Sequence, residues 1–194
     1  LDWDDPVGKF LPDYPVEDVR KKVTIRHLLT HRSGLADIFT DTFFEASKDR
    51  YKTVASWMSL FENKPLEFEP GTRSRYSNAG FVLLGAILEK LSGKEYFAFL
   101  KERVFQPLGM KGTDGYALDQ DTPNMAIGYT RQQFSGPPLE GEPMNNLFLH
   151  TAKGSPAGGC FSTAPDFVRF AEGIRTGKLL KPSTTEDLLG AKGA

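Results

Sequence analysis

The longest apolar run lies in the middle of the chain, where Ala79 to Leu88 carries no charged or amide side chain and Glu89 ends the run. An amphipathic helix shows one apolar stripe, whereas this segment is apolar on nearly every side, which predicts a centrally buried helix over 79–91, ended by Ser92-Gly93. Shorter amphipathic stretches surround it. Val54, Trp57, Met58 and Phe61 stand at i, i+3, i+4 and i+7 and predict a helix opening at Thr53. Phe97, Leu100 and Val104 predict another over 94–105, which Gln106-Pro107 should stop. Thr163, Pro165 and Asp166 read as the capped start of a helix whose inward stripe is Phe167, Phe170, Ala171 and Ile174. Thr24 is an N-cap for a short helix that turns Ile25, Leu28 and Leu29 inward, with Gly34 as its stop. Ser183-Thr184-Thr185-Glu186 reads as a capping box for a last short helix, with a frayed end over 190–194.

Two regions lack such periodicity. Leu1 to Pro15 carries three prolines and predicts irregular structure. Residues 112–153 are rich in Gly, Pro and Asn and predict a long loop of the kind that often shapes a binding site. The fold expected is therefore mainly α, a single unit over 1–194 with few short strands and long loops.

The sharpest change of pattern precedes the central helix. Pro70-Gly71 is a turn dipeptide, and an extended approach follows it. Tyr76 and Asn78 stand two apart on that approach, so their side chains point the same way and can converge on one ligand. The competing structural role is that Tyr76 packs while Asn78 caps the helix.

Composition narrows the function classes. Lys and Arg number 24 against 25 Asp and Glu, giving a net charge of -1, and no basic run tracks a phosphate backbone, so nucleic acid is not an expected partner. The apolar run is far shorter than the roughly twenty residues needed to cross a bilayer, so no transmembrane segment is expected. Residue 1 is neither an initiator Met nor part of a signal peptide, so an upstream targeting region is expected to have been lost, and the compartment stays open. Cys160 is the sole cysteine; beside Phe161, and without a His or Lys neighbour, it reads as a buried small hydrophobe. His27 and His31 have the spacing of a helical zinc pair, but Leu28 stands where a metalloprotease needs its Glu. The ordinary reading has one imidazole bonding backbone near the helix end and the other solvated, with His150 a surface residue. No metal and no other cofactor is expected.

Tyr76-Ser77-Asn78, with Phe68-Glu69-Pro70-Gly71 before it and Gly80 to Gly85 after it, resembles the serine beta-lactamase and penicillin-binding-protein superfamily, closest to its class C beta-lactamase-like hydrolases and esterases. Residues 23–35, the order Ser92-Gly93-Lys94 then Pro107-Leu108-Gly109-Met110, and Gly158-Gly159 followed by Ser162-Thr163 and Asp166 follow the same family pattern. The resemblance implies that this chain is mostly the helical portion of the α+β beta-lactamase/transpeptidase-like fold, a central segment that supplies the Tyr-x-Asn motif. No serine here is followed by Lys at the third position, and no Lys-Thr-Gly or His-x-Gly follows. The nucleophile helix and closing strands are thus expected to lie outside this segment.

The implied chemistry is acyl transfer. A serine attacks a carbonyl, Tyr76 relays or accepts its proton, and Asn78 holds the substrate carbonyl or the catalytic lysine. The implied partner is a small-molecule acyl substrate: a beta-lactam, a peptide or an ester. The resemblance suggests a periplasmic or extracellular setting, with a cytoplasmic one left open, and apolar surface at the docking faces would favour association of the segment with itself. The alternative is a non-catalytic binding domain of the same fold.

Overall fold

The computed structural model describes residues 1–133 and 136–190. The helices among them are α1 Glu17–Lys22, α2 Ile25–Leu29, α3 Asp41–Glu45, α4 Val54–Met58, α5 Asn78–Ser92, α6 Tyr96–Leu100, α7 Gln106–Leu108, α8 Ala164–Arg175 and α9 Pro182–Gly190. Two-residue strands β1 (Tyr129–Thr130) and β2 (Met144–Asn145) pair antiparallel, with Tyr129 opposite Asn145. The chain is helix-rich, and residues 112–153 are mostly loop, interrupted by this ribbon and a 3₁₀ turn at Leu147–Leu149.

The organising element is α5. It starts at Asn78 because Ser77 is its N-cap: the Ser77 Oγ accepts the Gly80 N–H at 3.2 Å. Gly93, at φ 67°, ends it in the left-handed conformation that helix C-termini favour. Ala79, Val82, Leu83, Ala86 and Ile87 are buried in one cluster with Ile25, Leu28, Val54, Trp57 and Phe61. Each buried Val, Leu, Ile or Phe side chain there stabilises the fold by about 1.5–3 kcal/mol. The other side of α5 is open, contrary to the all-round burial its composition predicts. Phe81, Leu84 and Leu88 are half-buried and Leu91 is exposed, lining an apolar groove of about 510 Å³ together with Leu29 and Phe99.

Several local expectations are corrected. Gln106-Pro107 does not stop the helix after Phe105. A π-helical turn over Lys101–Phe105 leads into α7, where Pro107 sits in the first turn, and Gly109 at φ 68° is the true stop. The phenylalanine stripe of α8 does not face inward: Phe167 is 65% exposed, Phe170 and Ala171 are exposed and Ile174 is half-buried. The buried side of α8 is instead that of Asp166 and Gly173, where a Cβ on Gly173 would meet Leu108 Cδ2 at 2.4 Å. Cys160 is exposed rather than buried. It sits one residue before Phe161, which bridges to Asp114 and turns its ring toward Tyr116 and His150, and alternation along extended chain points Cys160 the other way. Ser183 lies inside α9, which opens at Pro182, so it is not the N-cap. Of the frayed end expected over 190–194, Gly190 is the last residue of α9 and the rest lies outside the described residues.

Candidate active site

The approach to α5 is laid against the segment that leaves α2. Gly34 O accepts from Glu67 N at 2.8 Å, Arg32 O from Gly71 N at 2.9 Å and His31 O from Arg75 N at 2.9 Å. Gly34, at φ 78°, allows this contact: a Cβ there would lie 2.3 Å from Phe68 O. The next rung comes from a side chain, with His31 Nδ1 accepting the Ser77 N–H at 3.2 Å. The His31 ring also packs on the Tyr76 ring, centroids 4.6 Å apart, and on Phe81 at 5.2 Å.

Tyr76 is thereby held extended, 66% exposed, with its O–H donating to Asn78 Oδ1 at 3.1 Å. The two side chains do point the same way. Asn78 does not cap the helix, since Ser77 does, so its amide is left for other partners. With Oδ1 engaged by the phenol, the Nδ2 group is the end of the amide left to donate.

Asn78 lines a pocket of about 210 Å³ with Phe39, Trp57, Leu149, His150 and Ser155. His150 is a half-buried wall residue here, not the surface histidine its loop position suggested. Lys48 holds this wall, donating to His150 O at 3.3 Å and to Phe148 O; burial lowers the pKa of its ammonium. Sequence reasoning missed Lys48 and the pocket role of His150, because a contact across about a hundred residues leaves no local pattern. The cations beside Tyr76 are occupied: Arg73 lies over the Phe68 ring at 4.5 Å, and Arg75 pairs with Glu67.

His27 and His31 are both tied to backbone through Nδ1. His27 Nδ1 accepts the Thr24 N–H at 3.3 Å, completing a capping box, so both imidazoles take backbone donors and neither is simply solvated. No group of three metal-ligating side chains occurs among the described residues. The Cys160 thiol is pushed up by burial of its sulfur and by Asp114, the opposite of an activated nucleophile.

The profile of the family described as Beta-lactamase matches residues 1–193. This chain belongs to the beta-lactamase family. Penicillin-binding protein 4* of Bacillus subtilis is 40% identical over 120 residues, covering 60% of this chain and 25% of that protein. The solved penicillin-binding protein of Bacillus halodurans superposes with a TM-score of 0.85 at 32% identity, covering 97% of this chain and 56% of that one. The D-amino acid amidase of Ochrobactrum anthropi, solved with D-phenylalanine, gives a TM-score of 0.76 at 29% identity, over 96% of this chain and 53% of that one. The chain therefore has the beta-lactamase/transpeptidase-like fold and spans little more than half of those solved relatives. Among the described residues, no helix is long and apolar enough to cross a membrane.

Proposed function

We propose that this chain is the helical, Tyr-x-Asn-bearing part of a serine acyl hydrolase of the beta-lactamase family. The observation that carries the reading is the Tyr76 O–H to Asn78 Oδ1 bond of 3.1 Å, made by a residue that lines a pocket and starts the central helix α5. A rigid helix start fixes both groups, and preorganised groups need no rearrangement as the reaction proceeds. In this reading the serine of a Ser-x-x-Lys segment attacks the acyl carbonyl. Tyr76 takes the serine proton and returns it to the leaving group, and the Asn78 amide N–H donates to the substrate carbonyl.

The substrate is a beta-lactam, a peptide-like amide or an ester. The pocket beside Asn78 favours an acyl group with an aromatic or branched side chain, since Phe39, Trp57 and Leu149 give it an apolar wall. The relative solved with D-phenylalanine supports such a substrate. In the same reading, the α5 groove and the outer face of α8 pack against the sheet and nucleophile helix of the complete fold.

The test uses a protein that joins this chain to a Ser-x-x-Lys segment. Tyr76→Phe should lower kcat by about 10²–10⁴-fold with KM little changed, since it removes proton transfer and leaves the pocket's shape. Unchanged turnover in Tyr76→Phe would sink the catalytic assignment and leave a binding domain of the same fold.

A further inference from the structure

His31 makes three contacts to three successive residues. Its carbonyl accepts from Arg75 N at 2.9 Å, its ring packs on Tyr76 at 4.6 Å, and its Nδ1 accepts from Ser77 N at 3.2 Å. Ser77 is also the N-cap of α5, so one imidazole reaches the residue that joins Tyr76 to Asn78 and starts the helix. Because Nδ1 accepts, Nε2 is the ring nitrogen left to donate.

The backbone at His31 makes the residue's identity informative. After α2, His31 N donates to Leu28 O at 3.3 Å and Arg32 N to His27 O at 2.8 Å, the bond pair of a Schellman cap. That cap needs a left-handed residue, usually glycine, and His31 occupies it at φ 57°. A glycine would fit this position without strain, as Gly34 does three residues later at φ 78°. A ring is therefore kept where local structure disfavours one, and the contacts that ring makes are to Tyr76, Ser77 and Phe81.

We propose that His31 is a positioning residue for the Tyr76–Asn78 pair: its imidazole fixes the phenol's ring plane and the peptide between the two side chains. This rests on the proposed function only for its kinetic consequence. The positioning itself is a property of the chain. His31 touches no substrate in this role and moves no proton.

Nuclear magnetic resonance of the isotope-labelled protein tests it directly. The Ser77 amide nitrogen should show a scalar coupling to His31 Nδ1 across the N–H···N bond, and its absence in the wild type overturns the proposal with no variant needed. His31→Gly keeps the left-handed turn and removes the ring. The order parameters at Tyr76 and Ser77 should then fall from about 0.85 toward 0.6 or below. His31→Asn tolerates the same backbone and returns an acceptor near the Nδ1 position, so it should recover order at Ser77. Unaltered order in His31→Gly, or no recovery in His31→Asn, overturns the assignment.

In a protein competent for acylation, His31→Gly should lower kcat by about 10²-fold, the loss expected of a misplaced group, with KM little changed and partial rescue by His31→Asn. A wild-type kcat in His31→Gly counts against the proposal. If the wild type itself does not acylate, the functional reading falls, and the coupling and order parameters still decide the role of His31.

Discussion

Asp166 ties α8 to the start of the loop that reaches the pocket, and replacing it by Asn isolates the contribution of one buried charge. The carboxylate is only 2% exposed. Oδ2 accepts from Gly112 N at 2.8 Å and from Thr113 Oγ1 at 2.8 Å, and Oδ1 accepts from Arg169 Nη1 at 2.7 Å. In Asp166→Asn the amide oxygen keeps the Gly112 and Thr113 donors, and the NH₂ meets Arg169, so two charge-assisted bonds become neutral and one contact is lost. A bond to a charged group contributes about 1.5–3 kcal/mol against about 0.5–1.5 for a neutral one, so the two conversions cost about 2 kcal/mol. The Arg169 side chain is about half exposed, so its loss adds less than about 1 kcal/mol. The expected destabilisation is about 2–3 kcal/mol at pH 7, measured by urea unfolding followed by circular dichroism. Burial alone would raise the Asp166 pKa; the bonds from Thr113, Gly112 and Arg169 outweigh it and hold the carboxyl below its usual value. A depressed folded pKa stabilises the fold above the unfolded value of about 3.9, and that contribution is lost as pH falls through the folded value. The gap between wild type and variant should therefore be full at pH 7 and narrow below about pH 4. A variant within about 0.5 kcal/mol of wild type at pH 7, or a gap that widens with acid, would refute the reasoning.

Two further outcomes follow from single side chains. Trp57 is buried and its Nε1 has no partner, so Trp57→Phe gives up no hydrogen bond and should cost about 1–2 kcal/mol, well below the about 3–5 of Trp57→Ala; equal losses in urea unfolding would contradict this. Cys160 is exposed, yet its thiol pKa is raised by burial of the sulfur and by Asp114, so iodoacetamide should label it more slowly than free cysteine at pH 7.5, with a rate still climbing above about pH 8.5; faster labelling would contradict the assignment.

What the sequence made legible was local. Thr24, Thr53 and Thr163 do cap their helices, and the two-residue spacing of Tyr76 and Asn78 on extended chain does bring their polar ends together. Each of these follows from neighbours a few residues away. What stayed hidden depended on partners far along the chain. His31 gives no sign in its own segment that it meets Ser77, and its left-handed turn stands where glycine is the ordinary choice. The spacing of Phe167, Phe170 and Ile174 reveals a stripe but not whether anything covers it, and among the described residues that face is largely open. Gln106-Pro107 misled because the π-helical turn over Lys101–Phe105 carries the helix past Phe105 into α7, and it ends at Gly109 instead. The alternation that turned the Phe161 ring toward Tyr116 and His150 also turned Cys160 outward, which residue type alone does not foresee.

The central claim is that Tyr76 and Asn78 serve a serine that is not among those of these 194 residues. Intact-mass spectrometry after incubation with a penicillin and with a p-nitrophenyl ester tests it most directly. No serine here has a Lys at the third position to activate it, so the 194-residue chain should gain no acyl mass. A protein that joins it to a Ser-x-x-Lys segment should gain one acyl group, mapped to that serine. A stoichiometric adduct on one of this chain's own serines would contradict the account.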